Sequence, residues 1–160
     1  MHKIRIGKDQ AIQRIRHYCA YQERSQQEVR DKLYELGMSK SEVEEIISDL
    51  ISENFLNEER FAQQFAGGHF RIKKWGKIKI AAALKQQKVS SYNIQKALDE
   101  IDQTGYLSCL QRLASVKWNA LKKEATLTKK IKTTSYLLQK GYESNLIRKV
   151  LEQLQAPNET

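Results

Sequence analysis

Apolar residues recur three and four positions apart along most of this chain, the spacing that gathers them on one face of an α-helix. Val43, Ile46, Ile47 and Leu50 fit the pattern i, i+3, i+4, i+7. Ile94, Ala97, Leu98 and Ile101 fit it again, and Ile147, Val150, Leu151 and Leu154 fit it a third time. Strand-like alternation is weak, glycines are few, and the one proline, Pro157, sits in the tail. The pattern predicts an all-α protein.

The same turn precedes each of these faces. Leu33–Val43, Leu84–Ile94 and Leu137–Ile147 each place a leucine four residues before a turn residue and an aliphatic residue six after it. The turn residues Gly37, Lys88 and Gly141 lie 51 and 53 positions apart. Matches in phase at this spacing indicate a tandem array. Each repeat has room for three helices, expected near 9–22, 25–36 and 40–53, then 57–74, 77–87 and 91–101, then 104–122, 127–140 and 143–154. The expected organisation is a tail (1–8), a first repeat (9–54), a central basic repeat (55–102), a third repeat (103–155) and a second tail (156–160). One such repeat is too small for a good core, so neighbours must share apolar surface, and the predicted product is an elongated, gently curved array.

Local signals support the boundaries. Ser25-Gln-Gln-Glu28 and Ser39-Lys-Ser-Glu42 fit the capping box. Asn57, followed by Glu58 and Glu59, suits a helix start. Gly37 and Gly141 suit the left-handed residue that ends a helix, whereas Lys88 stands where glycine is easier. Either the middle turn bends differently, or Lys88 carries a strain of about 1 kcal/mol.

Charge changes the picture. Residues 1–59 carry a net −3, residues 60–98 a net +9 with no acid, residues 99–102 a net −3 and residues 103–160 a net +6. Solubility alone does not explain a stretch of almost forty residues without a carboxylate. It points to an anionic partner, nucleic acid or an acidic protein face. No run is apolar and long enough to span a membrane, and no secretory leader is evident, so the protein is expected in the cytoplasm. Cys19 and Cys109 read as small buried residues. The scattered histidines His2, His17 and His69 offer no metal-ligand spacing. Phosphate-loop, nucleophile-elbow and dinucleotide motifs are missing, and the adjacent Glu58 and Glu59 point about 100° apart on a helix. No catalytic residue, metal or cofactor is expected.

The candidate binding residues are Arg71, Lys73, Lys74, Trp75, Lys77, Lys79, Lys85 and Lys88. On a helix from Lys77 to Lys88, Ile80, Leu84 and Gln87 mark the inward side, and Lys77, Ala81, Lys85 and Lys88 form a stripe beside it. Trp75 offers a flat face among cations, suited to a stacked base or an apolar spot on an acidic protein; it reads equally as a packing residue. Phe61, Phe65 and Ile72 are assigned to the core, and Arg60 either holds Glu58, Glu59 or a neighbouring repeat or contacts the partner. A secondary cluster of Lys122, Lys123, Lys129, Lys130 and Lys132 is a second candidate, or a solvated loop.

The repeat, the motif F-x-N-E-x-R-F-A-x-x-F from Phe55 to Phe65, the basic stretch after it and the leucine-before-turn pattern together resemble the RecX family of bacterial regulators of the RecA recombinase. Leu56, Asn57, Glu58, Arg60, Phe61, Ala62, Phe65, Arg71, Gly76, Leu84 and Ile94 fit the family pattern, and Lys88 departs from its usual glycine. The resemblance implies three three-helix repeats, no enzymatic activity, and a clamp-like regulator that lies in the groove of the RecA–DNA filament. It would inhibit the ATPase, recombinase and coprotease functions there, and so modulate recombination and DNA repair. The implied partners are the RecA filament and single- or double-stranded DNA, contacted directly or through it, with the protein acting as a monomer. The alternative is a sequence-nonspecific DNA- or RNA-binding helical module that works without RecA.

Overall fold

The computed structural model describes residues 6–156; His2 and Pro157 lie outside them. Among the described residues there are nine helices and no strand: α1 (Lys8–Tyr21), α2 (Gln26–Glu35), α3 (Lys40–Ser52), α4 (Glu58–Lys73), α5 (Lys77–Gln86), α6 (Ser91–Asp99), α7 (Gln103–Ala120), α8 (Thr126–Lys140) and α9 (Ser144–Gln155). They form three three-helix repeats in tandem, as the periodicity predicts. No described helix is long and apolar enough to cross a membrane.

The recurring leucine and turn residue have one physical explanation. In each repeat the second helix ends in a Schellman motif, in which a left-handed residue lets the next amide reach back to the helix's last free carbonyls. The amide of Met38 donates to Leu33 O at 3.1 Å, that of Val89 to Leu84 O at 3.2 Å, and that of Tyr142 to Leu137 O at 3.2 Å. The residues between are left-handed, with φ of 89° at Gly37, 60° at Lys88 and 99° at Gly141. Lys88 therefore takes the strained conformation; the middle turn does not bend differently. Leu33, Leu84 and Leu137 are fully buried, and Met38, Val89 and Tyr142 are buried with them. This is the apolar pair that accompanies the motif.

The helix starts follow the sequence as well. Ser25 and Ser39 each accept the amide of the glutamate three residues on, and Glu28 and Glu42 return the bond. Asn57 Oδ1 accepts the amide of Arg60 at 2.9 Å, and Asp102 Oδ2 that of Gly105 at 2.8 Å.

The chain divides into two compact units. The first takes the chain up to Phe65 together with Leu84–Ala97; the second takes Ala66–Ala83 and the chain from Leu98 onward. The residues of the middle repeat are thus divided between them. In the first unit, α1, α2 and α3 bury Ile15, Leu33, Val43, Ile46 and Leu50 around one another. Arg60 binds Glu23 and also reaches the Asn54 carbonyl at 3.1 Å, so its role is structural. In the second unit, Ile80, Tyr106, Leu110, Leu137, Tyr142 and Ile147 are buried.

Three assignments change. Ile72 is 81% exposed and is not a core residue: it lies on the solvent side of the last turn of α4. Ile101 is buried but falls beyond the end of α6. Cys109 is half-buried rather than buried, while Cys19 is buried, and that burial pushes its thiol up to about 11.

A side chain in the left-handed region costs about 1–2 kcal/mol, of which glycine gives back about 0.4–1 kcal/mol through the freer unfolded chain. Lys88→Gly is expected to raise the unfolding free energy by up to about 1 kcal/mol in urea titrations. Gly141→Ala should lower it by about 2 kcal/mol or more, because its Cβ would sit 2.3 Å from the Cβ of Lys79.

Candidate partner-binding surface

The second unit builds its cationic surface around a backbone junction. Helix α5 starts where α8 stops. The amide of Gly76 donates to Lys140 O at 2.7 Å, and the amide of Ile78 to Gly141 O at 3.0 Å. The Lys77 amide between them donates to the Tyr106 hydroxyl at 2.8 Å. The first amides of one helix are thereby satisfied by the last carbonyls of another and by a buried phenol. The approach requires glycine: a Cβ on Gly76 would lie 2.3 Å from the Gly141 carbonyl.

Two buried tyrosines hold the junction from below. Tyr106 donates its proton to Glu143, and Tyr142 donates to Lys74 O at 2.8 Å. Because the Tyr142 proton is spent on that carbonyl, the Cys109 thiol, 3.4 Å away, is the donor in their contact. The rings of Phe70, Tyr106 and Tyr142 stack in tilted pairs with centroids 5.6 and 5.2 Å apart. Burial, then the bond to Glu143, raises the Tyr106 phenol well above its ordinary value of 10.0. Burial does the same for Tyr142.

The cations stand on this frame. Lys74 ends α4 in the left-handed conformation, with φ 61°, and folds its ammonium back onto Arg71 O at 2.6 Å. Lys140 reaches Lys73 O at 3.1 Å, and Lys79 reaches Gln139 O at 3.4 Å. The terminal carbonyls of α4 and α8 thus offset the crowding of like charges. Trp75 is half-buried against His69, with centroids 4.6 Å apart, and carries two ammoniums: Lys79 at 4.7 Å and Lys73 at 5.4 Å from its ring centre. Its position combines the packing and the surface reading, since the indole orders the lysines that neighbour it. Beside it, a cavity of about 280 Å³ is lined by Phe70, Arg71, Lys74, Ser108, Cys109 and Arg112 among others, with no carboxylate.

Other candidates are placed differently. Lys77 is half-buried, held over the Tyr106 ring at 4.8 Å with its ammonium 3.3 Å from Gln103 Oε1. It does not head a free stripe. Lys85 and Lys88 are exposed but belong to the first unit, and Lys88 lies past the end of α5 in the turn, off any helical stripe. The secondary cluster splits: Lys132 pairs with Glu124 at 3.1 Å and Lys129 sits 4.2 Å over Trp118, while Lys122, Lys123 and Lys130 are exposed. Arg112 and Lys140 were not legible as site residues. Neither lies in the basic stretch from Arg71 to Lys79, and only the packing of α4, α5, α7 and α8 brings them to Arg71 and Lys73.

Family models of the RecX first, second and third three-helix domains match residues 11–50, 57–98 and 105–151 in that order. The chain belongs to the RecX family. A regulatory protein RecX of Prosthecochloris aestuarii is 30% identical over 144 residues, which cover 90% of this chain and 93% of that protein. The regulatory protein RecX of Lactobacillus johnsonii is 31% identical over 144 residues, and there this chain spans only 53% of the relative's length. The crystal structure of RecX from Lactobacillus salivarius shares the fold, with a TM-score of 0.84 over 92% of this chain and 96% of that one, at 22% identity. A regulatory role follows from this membership. Within RecX, the glycine that fits the family pattern, Gly76, is the one the junction with Gly141 requires.

Removing the Tyr106 hydroxyl takes the partner from the half-buried Lys77 amide and from Glu143. Tyr106→Phe is expected to cost about 1–3 kcal/mol in thermal unfolding at neutral pH. Because folding raises both phenols above 10.0, their stabilising contribution is complete below that pH and is lost as pH rises beyond it. Stability should therefore fall above pH 10.0 in the native chain, with a shallower slope in the variant.

Proposed function

We propose that this chain binds the RecA–DNA filament and inhibits its ATPase, recombinase and coprotease activities, and so modulates recombination and DNA repair. It acts as a non-catalytic, cytoplasmic monomer. The observation that carries the reading is the carboxylate-free cluster of Arg71, Lys74 and Arg112 around one cavity, with Lys73 and Lys79 ordered on Trp75 beside it. Cations held by helix ends and an indole lose little freedom on meeting a partner, which favours binding to a fixed anionic surface over a merely solvated face. RecX family membership supports the RecA filament as that surface. The filament offers both acidic protein and DNA phosphate, and the exposed Lys85 and Lys88 of the first unit, with Lys122, Lys123 and Lys130 of the second, are further contact candidates.

The alternative, a nucleic-acid module that works without RecA, makes a different prediction. A regulator of the filament inhibits RecA-driven ATP hydrolysis on single-stranded DNA at concentrations well below those that coat free DNA. A plain binder inhibits only by competing for DNA, and excess DNA restores the reaction. The combined variant Arg71→Glu, Lys74→Glu, Arg112→Glu should need at least about tenfold more protein for the same inhibition, a loss of roughly 1.4 kcal/mol or more, with its helical circular dichroism unchanged. Undiminished inhibition by that variant would remove this surface from the mechanism.

A further inference from the structure

The first unit carries a second site that the charge pattern hides. Residues 1–59 are net negative, yet an open cleft of about 490 Å³ on α1 and α2 is lined by Arg14, His17, Tyr18, Tyr21, Arg24 and Lys32, with no carboxylate. Arg14, His17, Tyr18 and Tyr21 recur at i, i+3, i+4 and i+7 and so share one face of α1. The core face of the same helix carries Ala11, Ile15 and Cys19, and Tyr18 packs against its edge. Packing thus accounts for Tyr18 but not for the exposed Tyr21 one turn on.

Four glutamates of this unit are paired with cations outside the cleft lining. Glu23 holds Arg60, Glu53 holds Arg16, Glu44 holds Arg30 and Glu45 holds Lys8. Among the described residues, neither Arg14 nor Arg24 has a carboxylate within ion-pair distance, and Lys32 shares Glu35 only at 3.8 Å. Arg24 is fixed: its Nε donates to Tyr18 O at 2.9 Å, and its guanidinium lies 3.7 Å from the centre of the Tyr18 ring. The ammonium of Lys32 is 5.9 Å from the same ring. Tyr21, one turn on, is 78% exposed. It has neither a hydrogen bond nor a ring contact among the described residues.

We infer that this cleft binds single-stranded nucleic acid, with a base on Tyr21 and the adjoining phosphates on Arg14, Arg24 and Lys32. The floor is aromatic and apolar while the rim is cationic, so the ligand must be flat, aromatic and negatively charged together. An acidic peptide would satisfy the cations and leave the Tyr21 ring empty. A duplex keeps its bases stacked on each other, whereas a single strand can release one to an aromatic side chain. The volume is that of a small-ligand site. The inference does not rest on the filament reading, because it is tested on free DNA without recombinase.

The test compares binding of the full chain to a labelled oligothymidylate and to an abasic oligomer of the same length, by fluorescence anisotropy at low salt. Cations of the second unit bind both through phosphates, so the ratio of the two affinities is the readout. Stacking predicts about a tenfold preference for oligothymidylate. Tyr21→Ala should abolish that preference and Tyr21→Trp should keep it; Arg14→Glu should weaken both ligands alike. Tyr21 is exposed, so these variants are expected to fold, and unchanged thermal unfolding checks it. Amide chemical-shift changes on adding oligothymidylate should include residues 14–32. The proposal is overturned by an absent preference in the native chain, by a preference that survives Tyr21→Ala, or by polyglutamate competing as well as oligothymidylate.

Discussion

A helix begins with amides that have no partner and ends with carbonyls that have none, and in the second unit these two deficits cancel. The start of α5 donates to the end of α8 through Gly76, Ile78, Lys140 and Gly141, with Tyr106 taking the amide between. The contact works only because neither backbone carries a side chain at the meeting point. It joins the end of α4 and start of α5 to the third repeat, and it sets Lys73, Lys74, Trp75 and Lys79 beside Lys140. The aromatic column of Phe70, Tyr106 and Tyr142 keeps water away from these bonds, and buried hydrogen bonds in such surroundings are costly to break.

The same economy explains how so many cations can share one place. Lys74, Lys79 and Lys140 each send their ammonium to a carbonyl at the end of α4 or α8. A helix C-terminus carries partial negative charge, so two of them together accept a basic cluster without any carboxylate. The outward field stays positive, and the side chains that generate it are already ordered. That combination separates a binding surface from an ordinary solvated helix face, where lysines are free and their immobilisation opposes binding.

Much of the fold was legible because each repeat writes the same instruction. Leucine four before the turn and an apolar residue just after it are the two ends of a Schellman motif, and the strained φ of Lys88 shows that the motif outranks local preference. Capping boxes at Ser25 and Ser39 mark their helices from sequence alone. Ile72 misled because an apolar residue near the end of an amphipathic helix looks like core whichever way the last turn points. The site was legible only in part. Arg71, Lys73, Lys74, Trp75 and Lys79 form one basic stretch, but Arg112, Lys140 and the tyrosine pair reach it through tertiary packing, which no local period encodes. The cleft on α1 was masked for another reason: net charge averages over the whole segment and does not say which side chains folding gathers on one face.

Amide hydrogen exchange at Gly76, Lys77 and Ile78 tests the junction most directly. First-turn amides ordinarily face water and exchange within the fastest class. The account predicts that these three are protected to the level of the buried core of the second unit, and that Tyr106→Phe lowers protection first at Lys77. Exchange at all three as fast as at an open helix start would contradict it.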